Sequence, residues 1–309
     1  MFQRQTPVTR GHAKQGAAVT PGTPKVFQQP ALAVAIAALL GLVPGAWSTV
    51  SAGQDAAAPP ATSPKATAPI DLTGYWVSVV TEDWRWRMMT PAKGDYASVP
   101  LNPEGRKAGD QWDQARDEST GQACRAFGVG GLMRMPLRVH VTWADDFTLK
   151  LETDAGKQIR SLNFRERDIK PGPKTWQGRS VASWEGGGVI VRRPAAEETR
   201  LGRLSDVPDR SRAPLQWGTL KVVTTGMRSG YLRKNGVPYS ENAVVTEYYD
   251  RHPGPGGAEW FVVTTIVDDP QYLAEPFVTS SHFRREPDGS KMRPTGCEVD
   301  RPIAGPPTH

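Results

Sequence analysis

Between Trp76 and Arg87 the chain sets three tryptophans, Trp76, Trp84 and Trp86, among Glu82, Asp83, Arg85 and Arg87. Indole rings beside guanidinium groups make either a packed barrel floor or a ligand platform, because a cation is attracted to an aromatic face. Trp84, Arg85, Trp86 and Arg87 are therefore read as ligand-binding candidates, joined by His140 and Tyr248 from later strands. Asp83, Glu247 and His282 are the candidates for acid–base work. A carboxylate buried within a strand needs a partner, and histidine is the natural one for moving a proton. Two roles stay open for these carboxylates: a structural ion pair with Arg85 or Arg87, or a general acid or base.

Other chemistries find no supporting pattern. His140, His252 and His282 stand apart, without a paired-histidine spacing or a cysteine cluster, so neither a metal nor another cofactor is expected. There is no G-x-S-x-G turn for a nucleophilic serine. Gly128-Val129-Gly130-Gly131 lacks the further glycine and lysine of a phosphate-binding loop. Asp145-Asp146 and Asp268-Asp269 fall at turns, where aspartate serves local hydrogen bonding.

The net charge of +6 invites a nucleic-acid reading. Yet Arg4, Arg10, Lys14 and Lys25 lie in a leader, residues 1–52, that holds no acidic residue, and the rest of the chain is close to balance. A balanced body offers no footprint for a phosphate backbone, so no nucleic-acid partner is expected. The leader continues into the apolar run Ala31–Val43, broken by Pro44-Gly45 and followed by the small residues Val50-Ser51-Ala52. That is the layout of a cleaved signal peptide over 1–52. The run is short for crossing ~30 Å of hydrocarbon, so the membrane is met only in transit. The expected location is periplasmic or secreted. In an oxidising compartment the two cysteines, Cys124 and Cys297, read as one disulfide; the alternative is two separate buried thiols.

These residues need a scaffold. Residues 53–70 are rich in alanine, proline, serine and threonine and read as a flexible linker. A first strand follows over Leu72–Val80, and alternation carried past Thr81 puts Trp84 and Trp86 on one face and Arg85 and Arg87 on the other. Asn102-Pro103 opens a single peripheral helix that Gly121 stops, with Ala108, Trp112 and Ala115 as a thin apolar stripe. Val139, Val141, Leu149 and Leu151 alternate with polar residues through a three-strand meander that runs into QIRSLNF. Residues 187–217 form an inserted loop rich in arginine and proline, and strands resume from Gly218 with a turn at Lys234-Asn235-Gly236. With no fixed repeat and no strand–helix alternation, the expected architecture is all-β: an antiparallel β-barrel of the lipocalin/calycin kind with one peripheral helix, spanning 71–298. Residues 299–309 read as a disordered tail.

Several segments together resemble a broad family of exported bacterial β-rich proteins of unassigned function. They are Pro136-Leu137-Arg138, Trp176–Glu185, Thr219–Thr225, Thr246-Glu247-Tyr248, Val267–Pro270 with Pro276-Phe277, and Cys297. Gly74-Tyr75-Trp76 is similar, more faintly, to the opening of a lipocalin. The resemblance implies export and a β-rich domain, and no particular reaction. The resulting expectation is a barrel that binds an apolar or aromatic small molecule, or a glycan, in a cavity. The alternatives are an enzyme using that cavity for acid–base hydrolysis or isomerisation, and an interaction module presenting residues 187–217.

Overall fold

The computed structural model describes residues 62–190 and 215–303. The expected signal peptide, residues 53–61 of the linker, most of the inserted loop and the end of the tail lie outside the described residues.

Local alternation of apolar and polar residues decides most strands. In β2 (Arg138–Trp143) and β3 (Thr148–Thr153), Val139, Val141, Leu149 and Leu151 are buried, as their parity requires. β1 (Gly74–Val79) turns the fully buried Trp76 to the same interior. The other barrel strands are β4 (Ile159–Asn163), β5 (Arg179–Ile190), β6 (Leu215–Thr225), β9 (Val244–Pro253), β10 (Glu259–Asp268) and β11 (Phe277–Glu286). They close a ring in the order β1-β11-β10-β9-β6-β5-β4-β3-β2. β7 (Gly230–Arg233) and β8 (Val237–Tyr239) form a separate two-stranded hairpin.

The all-β barrel expected from sequence is therefore present, with two differences of detail. Nine strands cannot alternate in direction around a closed ring, so one neighbouring pair must be parallel. That pair is β4 with β5, through Leu162↔Ser180 and Asn163↔Val181. Residues 164–178 supply the long crossover that a parallel connection needs. The single expected helix is instead several short ones, α1 (Trp84–Arg87), α2 (Pro103–Asp110), α3 (Gln114–Ser119) and α4 (Val129–Leu132). Asn102 caps α2 as its sequence promised, accepting a hydrogen bond from the Gly105 N–H at 2.9 Å ahead of Pro103.

The barrel interior is filled by side chains. Phe261 stands at the centre, stacked on Phe283 at 4.7 Å between ring centroids and meeting Trp76 edge-on at the same distance. Below this aromatic layer Arg160 pairs with Glu247, both fully buried. Residues 62–70, read in sequence as the end of a flexible linker, instead close one mouth. Trp76 Nε1 donates to the Leu72 carbonyl at 2.9 Å, Trp184 Nε1 donates to the Pro64 carbonyl at 2.9 Å, and Ile70 is buried.

The opposite end is covered by a second apolar cluster that includes Tyr96, Leu101, Leu232, Tyr239, Val267 and Phe277. At its centre lies the β7–β8 hairpin, buried along its whole length from Gly230 to Ser240. Its turn requires Gly236: φ is +78°, and a Cβ there would stand 2.1 Å from the Trp112 ring. Trp112, expected on a thin surface stripe, is thus a wedge against this turn. The chain end is tied to this lobe by the Cys124–Cys297 disulfide, with Cα atoms 5.0 Å apart. Beyond the bridge the tail stays attached through residue 303. Gln114 donates to the Val299 carbonyl at 2.7 Å, and the Ile303 N–H donates to the Thr90 carbonyl at 3.0 Å.

Candidate functional site

The opening tryptophan–arginine stretch does not continue β1. After Val79 the chain bends, and Asp83 takes the left-handed conformation (φ +52°) that turns it into the single helical turn α1. Aspartate tolerates this region better than most residues, because its short side chain bonds locally or to a near neighbour. A helical turn abolishes the alternation expected from Glu82 to Arg87. Trp84 projects outward, 62% exposed, whereas Arg87 is buried. The proposed division, tryptophans on one face and arginines on the other, is corrected accordingly.

The side chains of this stretch nevertheless converge. Arg87 donates to the Arg134 carbonyl at 2.8 Å and pairs with Glu82. His282 Nδ1 lies 3.2 Å from the other oxygen of Glu82, so the histidine does meet a carboxylate of this stretch. That carboxylate is Glu82, not Asp83, which pairs with Arg134 at 2.9 Å. Arg85 reaches Asp95 at 2.6 Å, and Trp86 Nε1 donates to the same carboxylate at 3.2 Å. Arg233, from the buried hairpin, stacks over the Trp86 ring at 4.7 Å. Burial, followed by the like charge of Arg134, holds the Arg87 guanidinium below its ordinary pKa despite Glu82.

The remaining sequence candidates lie elsewhere. Glu247 is inside the barrel, held by Arg160, so no substrate reaches it as a free acid or base. His140 stacks flat on Tyr75, with centroids 4.1 Å apart, and lies 3.6 Å from Glu152. Tyr248 lies beside Lys221, whose ammonium is 5.6 Å from its ring centroid. Both have the parity opposite to the buried residues of their strands and so sit on the outer wall.

One space large enough for a ligand lies beside the capped end of the barrel, not inside it. A surface cleft of about 670 Å³ runs between the α2–α3 segment on one side and Trp176 and Arg228 on the other. The hairpin residues Tyr231, Pro238 and Tyr239 make its floor. Arg228 lies 3.8 Å over the Trp176 ring and donates to Gln122 at 2.8 Å. Arg125 lies 4.6 Å over the Tyr231 ring and pairs with Asp117 at 3.3 Å. The Tyr231 hydroxyl donates to the second oxygen of Asp117 at 2.7 Å. Burial, reinforced by that bond, raises the Tyr231 pKa, so the phenol stays protonated as a donor. Arg116, Arg125 and Arg228 are matched in the lining by Asp113, Asp117 and Glu241. Such a cleft presents paired, pre-oriented donors and acceptors next to aromatic carbon, without net charge.

Sequence reasoning missed this cleft. Trp176 and Arg228 are far apart in the chain and meet because the Thr175 carbonyl accepts from the Arg228 N–H at 2.8 Å, beside the barrel end. The sequence does signal richness in tryptophan and arginine, but it does not say which tryptophan meets which arginine. No family model, no curated protein and no solved structure matches this chain.

Proposed function

We propose that the protein is an exported barrel that binds a small neutral, polyhydroxylated ligand, a glycan, in the cleft between the α2–α3 segment and Trp176, without chemical turnover. The carrying observation is the charge balance of a mainly polar lining in which Arg228 and Arg125 are each fixed on an aromatic ring. A sugar offers vicinal hydroxyls that paired planar groups bridge, and C–H faces that lie on aromatic carbon. A strongly charged ligand would leave one half of this lining unmatched, and an apolar one would strip water from its carboxylates and guanidinium groups. The disulfide and the acid-free leader support export, and the resemblance to exported β-rich proteins agrees with that reading.

The test is native mass spectrometry of protein taken from its own compartment, followed by calorimetric titration with neutral oligosaccharides. A retained mass in sugar increments is the expected result, with binding removed by Trp176→Ala and by Arg228→Ala while the melting midpoint changes little. A retained lipid, or oligosaccharide binding indifferent to both substitutions, would overturn the reading.

An acid–base enzyme is the second reading, favoured by the half-exposed contact of His282 with Glu82. Conversion of the retained ligand by the wild type and not by His282→Gln would establish it.

A further inference from the structure

Four arginines meet three carboxylates around α1. Glu82 is engaged by Arg87, Asp83 by Arg134 and Asp95 by Arg85. Arg233 is left over. It is 4% exposed, and among the described residues none of its three guanidinium nitrogens has a hydrogen-bond partner. One nitrogen of Arg134 and one of Arg87, both residues also buried, are unpartnered as well. Arg87 Nε donates to the Arg134 carbonyl at 2.8 Å, Arg233 lies over Trp86, the neighbour of Arg87 in the chain, and the charge of Arg134 bears on both guanidinium groups. Burial and then Arg134 bring the Arg233 pKa down to about 10, which leaves it charged at neutral pH.

A buried guanidinium without partners is costly, and a planar fork of donors beside like charges has one natural complement. We infer that the unpartnered nitrogens of Arg233, Arg134 and Arg87 together hold an oxyanion of the phosphate or sulfate type. Its oxygens would accept from the unpartnered N–H groups, and its charge would offset the excess of cations. Trp86 would form the wall opposite, because Arg233 already lies against its ring. This site is separate from the cleft, whose own charges cancel.

Access follows from the cover. α1 is one turn long, and Trp84 on it and Met88 and Met89 after it are exposed, so little apolar burial holds this turn down. Local opening of residues 84–89 admits the anion without unfolding the barrel, and a bound anion would bind that turn shut.

The experiment uses the full exported protein with its disulfide intact. Potassium phosphate, potassium sulfate and phenyl phosphate are each titrated against potassium chloride at matched ionic strength. The melting midpoint and peptide-level hydrogen exchange are read. The expected result is a saturable rise in midpoint with at least one oxyanion and none with chloride, with slowed exchange confined to residues 84–96 and 230–237. Response to inorganic phosphate or sulfate assigns a free oxyanion. Response to phenyl phosphate alone assigns the anionic end of a larger molecule. Arg233→Met keeps the length of the side chain and should weaken the apparent affinity by about tenfold or more. Arg167→Met, which removes an exposed arginine outside this group, should leave it unchanged. No saturable response to any of the three, protection located elsewhere, or equal loss in both variants would overturn the inference. The wild-type exchange map decides the matter even if Arg233→Met fails to fold.

Discussion

Arg160 and Glu247 face each other inside the barrel, neither exposing any of its side chain. One guanidinium nitrogen donates to Glu247 at 2.9 Å and to the Tyr249 hydroxyl at 3.3 Å; the other pairs with the second Glu247 oxygen and lies 3.4 Å from Thr224 Oγ1. Thr224 in turn bonds Ser180 at 2.8 Å. The network therefore ties β4, β5, β6 and β9 together beside the parallel junction. Burial is the largest single influence and lowers the Arg160 pKa, but the charge and hydrogen bonds of Glu247 and Tyr249 together prevail, and the guanidinium stays above its ordinary value.

Breaking this pair from one side strands a buried charge. Glu247→Ala should destabilise the fold by about 3–5 kcal/mol, whereas joint replacement by Arg160→Met and Glu247→Leu should recover most of that loss. Urea denaturation of the single and double variants tests this. Additive losses in the double variant would show that the two residues act independently.

Exposure now ranks the opening stretch. Trp84→Ala should change stability by no more than about 0.5 kcal/mol, because the ring is largely in solvent. Arg87→Ala should cost about 2–4 kcal/mol, since it leaves Glu82 and the Arg134 carbonyl without a buried donor. Thermal unfolding of both variants decides, and the reverse order would restore the strand-like arrangement.

The disulfide joins residues 173 positions apart, and a closed loop of that length constrains the unfolded chain strongly. Cys297→Ser should lower stability by about 2–5 kcal/mol. It should also loosen the tail that meets Gln114 and Thr90. Alkylation of the native, unreduced protein should modify neither cysteine, and two modified thiols would contradict the pairing.

Acid should weaken the outer ladder at Glu259. Burial tends to raise its pKa, but hydrogen bonds and charge from Arg285 and Arg251 prevail and hold it below the ordinary 4.5. A depressed carboxylate contributes stability that is fully present above the unfolded value and is lost as pH falls through the folded one. The side chain is partly exposed, so the effect is small. Between pH 5 and the folded-state value, Glu259→Gln should show a shallower fall in melting midpoint than the wild type; parallel curves would count against the ladder.

Much of the barrel was legible because alternation is a local property. Val139, Val141, Leu149 and Leu151 lie inside where their two-residue period put them, and Asn102-Pro103 starts a helix because capping uses only neighbouring atoms. Arg160 shows the limit. Leu162 marks the inward parity of β4, and the same parity carries Arg160 inside and leaves Ile159 exposed. An arginine looks like a surface residue until its partner is known, and Glu247 is 87 residues away.

What the sequence determined by itself was the alternation that makes most strands and the concentration of aromatic and cationic chemistry; the pairing of Cys124 with Cys297, open in the sequence, was decided by the fold. Tertiary structure decided where that chemistry meets. Ring closure with nine strands imposed the parallel junction, Asp83 turned the tryptophan–arginine run into a helix, and burial of the β7–β8 hairpin brought Arg233 to Trp86. These outcomes depend on closure and on long-range burial, which are set by the whole chain at once, whereas alternation and capping are set by a few adjacent residues.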